Sequence, residues 1–316
     1  MSDQLNLSTL SKLFSDENNA RELFEKIRWK DGVVCPHCEA THAYKIEAKE
    51  GSKTRQGLWK CATCRKQFTV TVGTIFEGSR IPLSKWLMAI HLICSSKKGI
   101  SALQLQRNLG IKTYKTAWFM AHRIRYAMTQ EPMLRKLHGT VEIDETYIGG
   151  KVANMHQSQR AKLVSKGHGS QDKMAVLTLV ERDGQVKTHH MEHVTGKNLK
   201  KAIRECVAPS ASLMTDEFPT YKSLKHSFAS HESVNHSKKE YVRGEHHVNT
   251  AESVHALLKR GVMGVYHHWS KKHLHRYLSE FDFRFNARYI SDGERTIEAI
   301  KGIEGKRLKY RDSYGN

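Results

Sequence analysis

Several features are scarce or missing in this sequence, and each absence excludes something. No apolar run approaches a membrane span: the longest, WLMAIHLIC at 86–94, falls far short of the roughly 20 residues a bilayer requires. The N-terminus, MSDQLNLSTL, has no basic stretch leading into an apolar core, so no secretory signal is read there and a cytoplasmic location is expected. No G-x-x-x-x-G-K-[ST] run occurs, so neither an ATP-driven reaction nor a nucleotide cofactor is expected. Internal repeats and low-complexity tracts are absent as well. Acidic residues are outnumbered, with 32 Asp and Glu against 52 Lys and Arg, a net charge of +20. A protein this basic meets a polyanion, and nucleic acid is the first candidate. A membrane surface would call for a basic amphipathic helix, and none stands out. Cysteine is sparse too, and six of them in a chain read as cytoplasmic argue against a disulfide framework and for metal.

Four of those cysteines form two knuckles, CPHC at 35–38 and CATC at 61–64, with residues 39–60 between them. Two such pairs supply four thiolates, the closed tetrahedral set of structural Zn²⁺, so Cys35, Cys38, Cys61 and Cys64 are the expected ligands. His37 and His42 are read as surface residues, and Cys94 and Cys206 as buried thiols. Ahead of the ribbon, DENNARELFEKIRW reads as a helix with Ser15 as a candidate N-cap. After it, 82–128 reads as three helices, with Ser84, Ser101 and Thr113 as candidate N-caps and Gly110 as a stop. The helix–Gly–helix spacing around Gly110 is that of a helix-turn-helix. Lys112, Tyr114, Lys115 and Arg123 are its candidate DNA contacts, with Ala117, Trp118, Met120 and Ile124 on the inner face.

From 139 the pattern changes to strands at 140–148, 173–180, 185–194 and 212–216. Helices follow the same reading at 197–207, 249–266 and 271–285. Acids sit inside the first strand, in GTVEIDETYIGGK, although strands are normally depleted in them. Asp216 ends a second apolar strand in SLMTDEFPTY, and HHVNTAESVHALLKRG carries Asn249, Glu252 and Lys259 on a helix. At about 100° per residue Lys259 falls within about 20° of Glu252, away from the stripe of Val254, Leu257, Leu258, Val262 and Val265. Strand and helix carboxylates that converge suit two Mg²⁺ or Mn²⁺ ions with positions open to substrate. Alternation sets Glu145 apart from Glu142 and Asp144, which share a facing, and Glu142 lies one residue pair back from the strand end. Asp144 is assigned to metal, Glu142 is read as structural, and Glu145 shares a face with Val141, Ile143 and Tyr147 as a neighbour of the site.

These blocks, in this order, resemble insertion-sequence transposases of the ISXO-like group. The matching pieces are FEKIRWKDGVVCPHC, CATCRKQFTVTVGTIFEGSR, VEIDETYIGGK, LMTDEFPTY and HHVNTAESVHALLKRGVMGVYHHWSKKHLHRYLSEFDFRFN. The resemblance implies an α/β multidomain chain. An N-terminal helical segment (1–30) precedes a zinc ribbon (31–76) and a helix-turn-helix-like region (77–138). An RNase H-like, retroviral-integrase-like mixed-sheet domain (139–290) follows, with a basic insertion (150–173), and then a loosely held charged tail (291–316). It implies cutting and joining of double-stranded DNA at the element's terminal inverted repeats with two Mg²⁺ ions. Asp144 and Asp216 match the first two catalytic aspartates. Asn249 and Glu252 both stand open as the third ligand, and Lys259 matches the phosphate-contacting lysine. Lys151, Arg160, Lys162 and Lys166 of the insertion, with Arg260, join the expected DNA contacts. Partners implied are transposon-end and target DNA and a second copy of the chain, at the nucleoid. A DNA-binding protein without catalysis, or a metal-dependent nuclease without joining, are the alternatives.

Overall fold

The computed structural model describes residues 8–9, 16–47, 54–129, 135–150, 156–157, 173–216, 221, 224, 226–234, 242, 244 and 246–311. The chain divides into two compact units, residues 1–130 with 287–316, and residues 131–286. Among the described residues no helix is long and apolar enough to cross a membrane.

In the first unit, α1 (Glu17–Arg28) is capped by Asp16, whose carboxylate accepts from Asn18 N at 2.8 Å. Ser15, the expected cap, lies outside the described residues. β1 (Ala43–Ile46), β2 (Leu58–Cys61) and β3 (Gln67–Phe68) form an antiparallel sheet in that order. Three helices follow, α2 (Leu83–Ser95), α3 (Ala102–Leu109) and α4 (Tyr114–Ala127). Ser84 does not cap α2. That helix starts one residue earlier, after Pro82, which offers no side-chain cap, and Glu17 accepts from Leu83 N at 2.7 Å and Ser84 N at 3.0 Å instead. Ser101 and Thr113 do cap α3 and α4, accepting from Gln104 N and Thr116 N. α3 ends at Gly110, whose φ of 57° is a left-handed conformation glycine adopts without strain. Phe76 packs between Phe24 of α1 and Trp86 of α2, at ring separations of 4.9 and 5.1 Å. Ribbon and helices therefore share one core and one unit.

The second unit is built on a five-stranded sheet. β4 (Thr140–Ile148), β5 (Met174–Glu181) and β6 (Val186–Met191) run antiparallel. α5 (Gly196–Cys206) then leads to β7 (Ser212–Thr215) and β8 (Ser230–Ser233), which lie parallel to β4. The order across the sheet is β6-β5-β4-β7-β8. α6 (Asn249–Gly261) and α7 (Leu274–Asn286) complete the unit. Period-two alternation sends Val141, Ile143, Leu177 and Leu179 to one face, against Leu199 and Ile203 of α5. Ile148, Val176 and Val180 go to the other, against Ala251, Val254 and Leu258 of α6 and Phe281 of α7. The helix expected over 249–266 stops at Gly261 and continues as a π-helical turn, Val262–Tyr266. Gly261 and Gly264 weaken the α-helical preference there.

The last segment returns to the first unit and is not the loose tail expected. α8 (Asp292–Lys301) opens on a capping box formed by Ser291 and Glu294. Thr296 bonds His91 of α2 at 3.0 Å, and Glu304 pairs with Arg28 of α1 at 3.1 Å. Its buried positions, Gly293, Thr296, Ala299 and Ile300, are mostly small, so the sequence carries little apolar signal.

Candidate active site and metal centre

The even positions of β4 face α6. Glu142, the first of them, has a side chain with no exposed surface. Its carboxylate accepts from Thr250 N at 2.8 Å, Ala251 N at 3.1 Å and Thr250 Oγ1 at 3.0 Å, and pairs with Arg182 Nε at 2.8 Å. His247 Nδ1 stands 3.3 Å away. The residue before α6, Val248, offers no side-chain cap. The strand carboxylate thus meets the unpaired amides and the positive end of the helix dipole.

Asp144 is the next even position. Ile143 pairs with Thr215 across the parallel β4–β7 ladder. Carried on by one residue, that register places Asp216 beside Asp144, about one strand spacing or ~4.8 Å away. Asp144 Oδ1 accepts from Glu145 N at 2.8 Å, and Oδ2 stands 3.5 Å from His255 Nδ1 of α6. The other ring nitrogen of His255 is 2.9 Å from Thr178 Oγ1, on the strand opposite Asp144. Burial, then the nearby Lys259, holds His255 down to about 4, so its imidazole is neutral at pH 7. A neutral ring with its proton on Nδ1, toward the carboxylate, accepts the threonine hydroxyl at Nε2.

His255 is the site residue that sequence reasoning missed. It follows Glu252 by three residues and precedes Lys259 by four, so the three form one stripe of α6. His255 turns inward to Asp144, while Glu252 and Lys259 are exposed, as is Asn249 at the helix start. Asp144 and Asp216 thus each follow a residue of the paired Ile143 and Thr215, and Glu252 is exposed on α6. Among the described residues, no three acidic or histidine side chains bring their donor atoms within 4.8 Å of one another. Glu145 projects to the α5 face with Tyr221. Burial, and then the Asp216 and Asp144 carboxylates, push it up to about 7.

The cysteines do converge. Sγ of Cys35 is 3.7 Å from that of Cys64, Cys38 is 3.6 Å from Cys61, and all four lie within 4.8 Å. Zn–S bonds of about 2.3 Å give a tetrahedron with edges near ~3.8 Å, so the set fits zinc. The knuckles are built alike: Glu39 N and Arg65 N close turns onto Cys35 O and Cys61 O, and both residues take positive φ, 60° and 62°. The Cys64 N–H, 3.4 Å from Cys61 Sγ, holds that thiol down to about 6. His37 and His42 are exposed and outside the ligand set.

In the helical region Lys112, Tyr114 and Lys115 are exposed at the start of α4, with Lys115 Nζ 4.3 Å from the Tyr310 ring. Arg123 departs from the expected DNA contacts. It is 5% exposed, donates to Glu77 O, and lies against the rings of Trp86 and Phe119 at 5.6 and 5.3 Å. Its aliphatic stem and planar head serve packing there. Arg260 is exposed on α6, and Lys151, Arg160, Lys162 and Lys166 lie outside the described residues.

Two families match this chain. The ISXO2-like transposase domain matches residues 136–286, and the transposase zinc-ribbon domain matches residues 15–67. A relative described as an uncharacterized protein in transposable element ISH50, from Halobacterium salinarum, is 31% identical over 280 residues, which cover 86% of this chain and 92% of that protein. The chain belongs to the ISXO2-like transposase family. The ISXO2-like match spans Asp144, Asp216 and the whole of α6, and ends with α7 at Asn286, where the second unit also ends. The zinc-ribbon match holds all four cysteines, in keeping with a structural zinc.

Proposed function

We propose that this family member is a DNA transposase that binds the terminal inverted repeats of its element, cleaves DNA strands there and transfers them to target DNA. The observation that carries the reading is the pair Asp144, on the central strand β4, and Asp216, directly after its parallel neighbour β7, in a chain of net charge +20. Mg²⁺ is commonly held by one or two carboxylates and completes its shell with water and substrate phosphate, which this pair suits. When bound, such ions supply an activated water or 3′-hydroxyl and neutralise the departing oxygen. Strand order β6-β5-β4-β7-β8 with helices on both faces supports an RNase H-like domain. α3 and α4 around Gly110 support a helix-turn-helix-like module that places Lys112, Tyr114 and Lys115 on DNA. Glu252 is the third ligand in this reading, and Asn249 the substitute at the same helix end. Lys259 and Arg260 meet backbone phosphate. The active assembly is a homodimer or larger, since two ends must be joined.

The test is Asp144→Asn in full-length protein, with DNA carrying the ends of the element. End binding is expected to persist while cleavage and joining in Mg²⁺ disappear. Joining by that variant would refute the site, and cleavage without joining by the parent chain would make it a nuclease. His255→Ala probes the support behind Asp144. Loss of a group that orients a metal-binding carboxylate typically costs about 10- to 100-fold in metal affinity or activity. The variant is expected to need more Mg²⁺ for half-maximal cleavage, with unchanged DNA affinity. An unaltered Mg²⁺ titration would show that the histidine is only packing.

A further inference from the structure

The second unit holds a cavity of about 550 Å³ at the far end of β4, bounded by Ile148, Gly149 and Gly150, the ends of β5 and β6, and the segment 262–271. We propose that it receives an unpaired nucleotide of a DNA strand whose neighbouring phosphates lie toward Asp144. This rests on the reading that the chain acts on DNA, and adds to it a site for one unit of the strand.

Three features single out the wall formed by 262–271. It begins with a π-helical turn, Val262–Tyr266, a rare geometry that is frequent at functional sites. The turn closes on His267, a non-glycine residue at φ 60° and ψ −36°, a strained conformation that persists only where the surroundings hold it. Here Tyr266 is tied by its hydroxyl to the buried Glu280 at 2.7 Å, and Trp269 stacks on Tyr277 at 4.9 Å. Trp269, only 1% exposed, has an indole N–H with no hydrogen-bond partner among the described residues. A buried donor left unpaired costs about 1–3 kcal/mol, a further cost held in this wall.

The rest of the lining sets the chemistry of the occupant. Lys173 and Lys271 are exposed cations at the rim, joined by His190, His267 and His268. Glu192 is the one acid of the lining among the described residues, and Lys271 Nζ stands 3.7 Å from it. Ile148, Met174, Met191 and Val262 supply apolar surface. An apolar floor with a cationic rim suits a flat heterocycle carrying an anion, and the volume lies within the usual ~300–1,000 Å³ of small-molecule sites. Imidazole rings at the mouth can stack on an unpaired base. The location agrees. Ile148 is four residues beyond Asp144 on the same face of β4, about 13 Å at ~3.3 Å per residue. A DNA strand at ~3.4 Å per nucleotide covers that in about four nucleotides.

The test measures binding of the full chain to a short duplex with an unpaired 3′ tail, against the same duplex with blunt ends, by fluorescence anisotropy at fixed salt. Asp144→Asn serves as background so that no strand is cut. The tailed duplex is expected to bind about tenfold more tightly, as one stacked base and its phosphate would give. The preference should fall to near unity in a Lys173→Ala/Lys271→Ala double variant, whose altered side chains are exposed and leave the fold alone. Equal affinity for the two duplexes, or a preference that survives the double variant, overturns the pocket and leaves the reading as a DNA enzyme standing. Failure to bind either duplex overturns both.

Discussion

Alanine in place of Glu142 is expected to destabilise the second unit by about 3–5 kcal/mol, the usual result of removing one partner from a buried ion pair. The carboxylate is surrounded by donors: two first-turn amides of α6, the Thr250 hydroxyl and Arg182, of which only Arg182 is seen with a second acceptor, His247 O at 3.1 Å. Truncation leaves the amides orphaned at a helix end that has no cap of its own, and leaves a guanidinium half sunk beside them. Since α6 carries His255, Glu252 and Lys259, the loss also loosens everything that faces Asp144. Denaturant unfolding of the Glu142→Ala protein, followed through the hydrogen exchange of Thr250 and Ala251, measures it. Those two amides should lose protection first. Glu142→Gln, which keeps the shape and one acceptor oxygen, should cost roughly half as much. A midpoint that does not move would mean that water replaces the carboxylate and that α6 is held by its apolar face alone.

The same contact shows why part of this site was legible in the sequence and part was not. Which acid of VEIDET faces which side follows from period-two alternation, a local property, and it separates Asp144 from Glu145 correctly: the one meets His255 of α6, the other lies with Tyr221 on the α5 side. The strand over 140–148 and the helix over 197–207 follow from equally local periodicity, and β4 and α5 lie there to within a residue. What alternation cannot supply is the partner. Glu142 reaches a helix start 108 residues away, and His255 reaches Thr178 across 77 residues. His255 had a signal, being on the Glu252–Lys259 stripe, but nothing local separates an inward histidine from an exposed one. Arg123 misled for a related reason: on a basic helix an arginine reads as a phosphate contact until Trp86 and Phe119 are seen around it. α8 was hidden by its small buried residues, whose packing depends on α2 rather than on an apolar stripe.

The ribbon lies at the opposite extreme, since its ligands declare themselves by spacing, and removal of zinc is the second large effect expected. Between residues 31 and 76 the buried apolar side chains are few, chiefly Phe68, Val70, Ile75 and Phe76 beside Cys35 and Cys61. So small a core rarely supports a fold, whereas structural zinc contributes on the order of 10–16 kcal/mol in zinc-finger peptides. Chelation of the full-length protein should therefore unfold β1–β3 while the sheet of the second unit persists. Trp59 and Trp29 report it, being 5.6 Å apart, with Trp29 5.9 Å from Phe68. Their fluorescence should shift to the red as the ribbon opens, and one zinc per chain should be released and return on refolding. Cys61→Ser should behave like the chelated protein, because an oxygen in place of a buried thiolate gives up both the soft ligand and its low proton affinity. The helical region shares its core with the ribbon through Phe24, Phe76 and Trp86, so its DNA affinity should fall as well. A chelated chain that keeps its tryptophan emission and resists proteolysis between residues 35 and 64 would show that packing, rather than metal, holds the two knuckles together.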